Sequence, residues 1–204
     1  MSTKTKHFIF DFDGVLGDTW SAMIKAVMEI DNLTMEEAIR DMSDYAASPK
    51  HSRKNNLTKD ELAEWMRWTD RFGRAMARIG FKLFDEFIAE IKKIENKKVA
   101  IVSSGSKLYV KDKADSSDLD FTHILTFEDS PSKEEKVEMI CRDWNVDIKD
   151  IHYFTDTKTD VIELKEMLGD RIIGCSWGYN GYFGLLEVLP EEKIMEDFMD
   201  IHLI

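Results

Sequence analysis

Apolar residues concentrate in five short runs: His7–Asp11 (HFIFD), Lys98–Ser103 (KVAIVS), Thr122–Phe127 (THILTF), Ile151–Thr155 (IHYFT) and Arg171–Cys175 (RIIGC). They are rich in Val, Ile and Phe and bounded by polar loops. Near-continuous apolar runs of this length are what strands covered on both faces look like. After the second run, each gap leaves room for one helix. Helical periodicity is strong in SKEEKVEMICRDW and in DTKTDVIELKEML. That alternation predicts an α/β fold built on a Rossmann-like parallel sheet. A last amphipathic helix is expected over Glu191–Ile201.

The gap between the first two runs is too long for one crossover. Residues 20–80 carry a helical pattern throughout. Thr34 with Glu37 and Thr58 with Glu61 both fit the capping box, in which hydroxyl and carboxylate satisfy amides at a helix start. The polar loop SPKHSRKNN separates the two helices they open. The pattern predicts a helical cap at 19–81 inserted after the first strand into a core of 1–18 and 82–204. Trp65, Phe72, Met76 and Ile79 recur at helical spacing and read as the cap's own packing face. Trp20 opens the first cap helix, where packing is its plainer role. Arg67, Arg71, Arg74 and Arg78 fall on one helix face. They would either steer an anionic substrate or, more plainly, form a solvated face paired with acids. The loop residues His51, Arg53 and Lys54 carry the same two readings. His152 lies in a buried strand and reads as structural.

Charge narrows the partners. Forty acidic against 28 basic residues give a net charge of −12 over 204 residues. So acidic a surface argues against binding nucleic acid or anionic membranes. An anionic substrate would need a cation and local basic groups. Cys141 and Cys175 sit far apart with no metal-ligand spacing, as buried reduced thiols do. The opening MSTKTKHFIFDFD holds no apolar run long enough for a signal peptide, and no stretch is long enough to span a membrane. The expectation is a cytoplasmic protein of one domain, or of a core with a modest insertion.

Ligands of open parallel sheets bind beyond the carboxyl ends of the strands. The first strand ends at Asp11 and Asp13, which share one side of an extended chain. The second ends at Ser103, Ser104 and Gly105, and the fourth at Asp156, with Asp160 in the next helix. If these strands are neighbours, four carboxylates converge, which is costly without a cation. A hard divalent ion such as Mg²⁺ relieves the repulsion through oxygen ligands. One carboxylate can then act as a nucleophile and another as a general acid. The Ser103 hydroxyl and a lysine from EDSPSKEEK could hold the remaining phosphoryl oxygens.

In this order the motifs resemble the haloacid dehalogenase superfamily. FIFDFDGVLGDT is similar to its first motif, AIVSSG to its second, the lysine of SPSKEEK to its third and HYFTDTKTDV to its fourth. The tail IIGCSWGYNGYFGLLEVLPEEKIMEDF resembles that of phosphoglycolate phosphatase-like members, where a strand runs into a tryptophan–glycine turn. The resemblance covers most of the core; in the cap only the helical character matches.

The resemblance implies a Mg²⁺-dependent phosphatase acting on a small phosphate ester, with phosphoglycolate, a sugar phosphate or a mononucleotide as examples. Asp11 would be the nucleophile and Asp13 the acid and base. The Asp11 carboxylate, the Asp13 carbonyl and Asp156 would hold the metal, with Asp160 a further ligand or an anchor. Ser103, Ser104, Gly105 and Lys133 would bind the phosphoryl group. Gly14 would permit the turn after the acids. Asp13 favours ester chemistry, because dehalogenase and phosphonatase relatives lack an aspartate there. Two positions depart from the family pattern. Thr155 stands where members usually have glycine. Lys133 precedes Glu134 rather than proline, with Lys136 one turn later as the alternative lysine. A phosphomutase, a nucleotidase and a catalytically weak binding or regulatory protein share the pattern, and a monomer and a homodimer are both compatible with it.

Overall fold

The computed structural model describes residues 5–204, so the first four residues of the expected 1–18 segment lie outside the described residues. The first apolar run forms β1 (Lys6–Phe10). The short β2 (Gly17–Asp18) follows, then helices α1 (Trp20–Asp31), α2 (Met35–Ala47) and α3 (Lys59–Ile79). β3 (Lys82–Leu83) and α4 (Asp85–Lys93) lead into β4 (Lys97–Val102). Next come α5 (Lys107–Ser116), β5 (Phe121–Leu125), α6 (Lys133–Trp144), β6 (Ile151–Thr155) and α7 (Lys158–Leu168). β7 (Ile172–Cys175), α8 (Gly181–Leu186) and β8 (Ile194–Met195) close the chain.

Six strands form one parallel sheet in the order β5-β4-β1-β6-β7-β8. β1 thus lies between β4 and β6, and the ends carrying Asp11, Ser103 and Asp156 are adjacent. Side chains of β1 alternate between two cores. Phe8 and Phe10 pack with Phe154 and with Phe87 of α4 on one face. Ile9 packs with Val137 and Ile140 of α6 and Val161 and Leu164 of α7 on the other. Fully burying each such side chain contributes about 1.5–3 kcal/mol. The sheet is therefore covered on both faces, as the apolar runs predicted.

Both capping boxes form. The Glu37 carboxylate accepts from Thr34 N at 2.8 Å, and Glu61 accepts from Thr58 N at 2.8 Å. The chain enters and leaves the helical segment side by side, because β2 and β3 pair antiparallel with Gly17 opposite Leu83. Phe84 N adds a hydrogen bond to Leu16 O at 2.9 Å.

The tail differs from expectation. Glu191–Ile201 is not one helix: a 3₁₀ turn at Glu191–Lys193 precedes β8, and a second spans Phe198–Leu203. The cause is the open edge of β7, whose backbone groups need partners. Ile194 and Met195 pair with Gly174 and Cys175 and satisfy them. Among the described residues, no helix is long and apolar enough to cross a membrane. Cys141 and Cys175 are buried free thiols, in line with the sequence.

Candidate active site

The site starts from the turn after β1. Asp11 continues the sheet, its N donating to Phe154 O at 2.8 Å. The chain then folds back through Gly14, at φ +74°, with Gly14 N donating to Gly17 O at 2.8 Å. That left-handed conformation suits glycine. Space demands it as well, since a Cβ on Gly14 would lie 1.9 Å from Asp156 Oδ2. Across the carboxylate, a Cβ on Gly178 would lie 2.2 Å from Asp156 Cβ. Gly178 belongs to the tryptophan–glycine turn after β7, where Trp177 Nε1 donates to Val15 O at 3.2 Å. Asp156 is thus gripped between two backbone turns.

Lys133, at the start of α6, is 3% exposed. Its Nζ lies 2.9 Å from Asp11 Oδ2 and 2.6 Å from Asp160 Oδ2. Burial disfavours the ammonium, but the two carboxylates overcome this and raise Lys133 well above its ordinary value. Burial likewise opposes the Asp160 charge. Lys133, with hydrogen bonds from neighbours, wins, and Asp160 stays below the usual carboxylate range. Thr155 Oγ1 donates to Asp160 Oδ2 at 2.9 Å, and Tyr153 OH donates to the same oxygen at 3.1 Å. Thr155, the departure from the family pattern, therefore faces Asp160. Asp11 is pushed up, chiefly by burial, against the pull of Lys133. Lys136 takes a different place: its Nζ donates to Ser103 O at 2.7 Å and Thr126 O at 3.3 Å. Burial lowers it to about 7.

Asp13 Oδ2 accepts from Tyr109 OH at 2.7 Å. Burial raises Asp13, while Tyr109 and Thr19 pull against it. Gly105 allows this approach, since a Cβ there would lie 2.0 Å from Tyr109 OH. Ser104 and Gly105 line the cavity over the carboxylates. Ser103 is fully buried behind them, its Oγ accepting from Gly105 N at 2.8 Å. Ser103 itself is not among the residues that line the cavity.

Among the described residues, two buried carboxylate oxygens, Asp13 Oδ1 and Asp156 Oδ1, have no hydrogen-bond partner. Burial raises Asp156 to about 7, although Tyr179 N donates to its Oδ2 at 2.6 Å. Such oxygens are costly to bury unpaired. Among the described residues, no three His, Cys, Asp or Glu side chains converge in metal-ligand geometry. Asp160 is turned to Lys133, which leaves Asp11 and Asp156 with the main chain of the turn. A hard divalent cation fits this oxygen-only set, because Mg²⁺ commonly takes one or two carboxylates and keeps waters or phosphate for the rest.

A cavity of about 760 Å³ lies over these groups, walled on its far side by α1, α2 and α3. The far wall is held to the sheet domain by several contacts. Tyr179 OH donates to Ser43 Oγ at 2.6 Å, and Thr159 Oγ1 donates to Tyr45 O at 3.1 Å. Arg53 reaches Glu138 at 2.9 Å and Lys54 reaches Glu166 at 2.8 Å, so the basic loop pairs with core acids. The arginine stripe faces away. Arg71 pairs with Asp31, Arg74 with Asp70 and Arg78 with Glu29, and none of the four arginines lines this cavity. Trp20 lines it and stacks near Tyr179, ring centres 4.1 Å apart. Trp65 and the largely buried Phe72 also line it, whereas Met76 is fully buried as expected. His152 is lowered to about 4 by burial, with Arg171 adding to the effect, and its ring lies 6.2 Å from Phe8 in the core.

Several partners escaped sequence reasoning. Tyr109 is one turn of α5 beyond Gly105, and only its helical offset from SSG hinted at it. Glu163 accepts from Lys133 N at 2.8 Å and is raised to about 7, chiefly by burial. It follows Asp160 by three residues and shares its helix face.

Similarity to known proteins agrees with this geometry. No curated protein matches the sequence. The chain is similar in structure to a predicted phosphatase from Clostridium acetobutylicum, with 17% identity, 98% of each chain covered and a TM-score of 0.73. It is similar to a predicted phosphoglycolate phosphatase from Haemophilus somnus 129pt, with 18% identity, 100% and 99% coverage and a TM-score of 0.65. A phospho-aspartyl intermediate analogue of phosphoserine phosphatase matches with 17% identity, 99% and 100% coverage and a TM-score of 0.63. The sequence model of the haloacid dehalogenase-like hydrolases spans residues 8–167, from β1 with its paired aspartates to α7 with Asp160, and the chain belongs to that family.

Proposed function

We propose that this chain is a Mg²⁺-dependent phosphatase that hydrolyses a small phosphorylated metabolite through an aspartyl-phosphate on Asp11. The observation that carries the reading is the Asp11–Lys133 contact of 2.9 Å beside the unpartnered buried oxygens of Asp13 and Asp156. A nucleophile, a fixed cation and two waiting acceptors then share one sheet edge. Asp11, the Asp13 carbonyl and Asp156 would hold Mg²⁺, which when bound offsets the carboxylate charge and polarises the phosphoryl oxygens.

In this reading an Asp11 oxygen attacks phosphorus and the ester P–O bond breaks. Asp13 gives its proton to the leaving oxygen, a role favoured by the burial that raises its carboxyl above the ordinary value. Asp13 then takes a proton from water, and that water displaces phosphate from Asp11. Lys133 and the Ser103–Gly105 turn hold the phosphoryl oxygens. Asp160 anchors Lys133. The helices of 19–81 act as a cap over the core of 1–18 and 82–204, and closure excludes bulk water.

The test is phosphate release from a panel of small phosphomonoesters with Mg²⁺ or with EDTA. Release is expected to need the metal and to be lost in Asp11→Asn. Full activity in that variant would overturn the nucleophile assignment.

A further inference from the structure

The cap half of the cavity has a composition of its own. Tyr45, Trp65 and Trp68 line it, with Trp65 and Trp68 edge to face at 5.8 Å. Such surfaces accept flat rings. Beside them sits His51, only 5% exposed, its ring 4.4 Å from Trp65 and 5.0 Å from Phe127. His51 lines the cavity, yet its buried Nδ1 has no hydrogen-bond partner among the described residues. Nothing in the phosphoryl chemistry above uses it, and an unpaired buried nitrogen is costly without a ligand to meet it.

Charge around the same wall is one-sided. Asp31, Asp41 and Glu64 line the cavity from the cap helices, and the cap's lysine or arginine there is the exposed Lys50. Lys133 is already engaged by Asp11 and Asp160. Arg71 pairs with Asp31 and Arg40 with Asp41, but neither arginine lines the cavity, so a leaving group with its own carboxylate would face three acids and one exposed lysine across it, and like charges in a walled cleft repel. A cation over an aromatic face is instead attracted.

We infer that the leaving group of the substrate is a flat ring without negative charge, seated against the wall formed by Trp65 and Trp68 with a polar edge on His51 Nδ1. This rests on the phosphatase reading and narrows it. It disfavours phosphoglycolate and other short anionic esters.

The test uses the full chain with Mg²⁺ and benzyl phosphates whose para substituent is a carboxylate, a carboxamide or an aminomethyl group, with phosphoglycolate alongside. Benzyl esters keep the leaving-oxygen chemistry nearly constant. The carboxamide and aminomethyl esters are expected to exceed both anionic substrates in kcat/KM by about tenfold or more, equivalent to about 1.4 kcal/mol. Glu64→Gln with Asp41→Asn is expected to narrow the gap for the carboxylate. Trp65→Ala is expected to erase the ring preference and Trp65→Phe to keep it, a change in ratio that a merely structural role would not produce. Anionic substrates turned over as well as the others overturn the inference. Saturation-transfer NMR of the parent benzyl alcohols with Asp11→Asn reads the subsite without the chemistry. Contact by the uncharged and cationic alcohols but not the carboxylate supports it even if no ester is hydrolysed, a result that would sink only the phosphatase reading. Equal contact by all three overturns it.

Discussion

Gly178 and Asp156 approach so closely that a methyl group on the glycine would lie 2.4 Å from Asp156 Oδ2 and 2.5 Å from Gly14 O. Two turns distant in sequence thus close on one carboxylate. Gly178→Ala is expected to displace Asp156, because neither the carboxylate root nor the Gly14 backbone can yield cheaply. A misplacement of about 1 Å costs on the order of 100-fold in rate. The variant is expected to fold, to lose phosphate release by about that factor, and to lose stabilisation by Mg²⁺ in thermal melts. An unchanged Mg²⁺ shift would mean that Asp156 is not a ligand.

The Lys133 ammonium carries two buried carboxylates. Lys133→Met removes the cation while Asp11 and Asp160 stay buried. Breaking a buried pair in this way costs about 3–5 kcal/mol. Denaturant unfolding in EDTA is expected to show a loss of that order. Mg²⁺ is expected to restore part of it by offsetting the stranded charge. Lys136→Met, which strands two backbone carbonyls rather than carboxylates, is expected to be insensitive to Mg²⁺.

The positions of Asp11, Ser103 and Asp156 were legible because strand ends in a parallel sheet gather on one edge once strand order is known, and Lys133 and Asp160 lie in the first turns of helices that rise from that edge. That order places β1 between β4 and β6 and so brings their ends together. The contact of Tyr109 with Asp13 was not legible, because it depends on the rotation of α5 about its axis. The tail was misread for a related reason. Ile194, Met195, Phe198 and Ile201 fit a helical stripe, and only the open edge of β7 makes two of them a strand. The arginine stripe was correctly placed on one face, but periodicity could not say what that face meets.

That face meets acids in solvent. Arg74 and Asp70 lie 3.0 Å apart with side chains 69% and 59% exposed. Pairs this exposed contribute from nothing to about 1 kcal/mol. Arg74→Ala with Arg78→Ala is expected to leave kcat/KM within about twofold and to shift stability by less than about 1 kcal/mol. A drop of tenfold or more in kcat/KM at low salt that closes at high salt would return the stripe to a steering role.

Thr155 spends its hydroxyl on Asp160, donating at 2.9 Å from a fully buried position. Thr155→Val keeps the shape and removes the donor, leaving a buried charge one hydrogen bond short. Losses of this kind run to about 1–3 kcal/mol. Unfolding experiments are expected to find that loss in Thr155→Val and little change in Thr155→Ser. Equal stability of Thr155→Val and the parent would mean that Tyr153 and Lys133 suffice to hold Asp160.

His51 gives the cap a pH dependence. Burial, aided by the positive charges of Lys136 and Lys50, lowers its imidazole to about 4 from an ordinary 6.5. The unfolded chain therefore binds more protons than the folded one between those values. Stability from this group is fully present above about 6.5 and is lost as pH falls toward 4, by up to about 1.4 kcal/mol per pH unit. His152 is lowered to about 4 by burial and acts with the same sign. The two are separated by comparing single variants rather than by the parent's profile. His51→Gln is expected to flatten the fall in stability between pH 6.5 and pH 4.5, measured by urea unfolding, by roughly 1–2 kcal/mol across the window. Its effect at pH 7.5 reports only lost packing against Trp65 and Phe127. If the parent and His51→Gln lose stability in parallel on acidification, the imidazole is not held neutral, and the ring does not close the cap onto the core in the way its contacts imply.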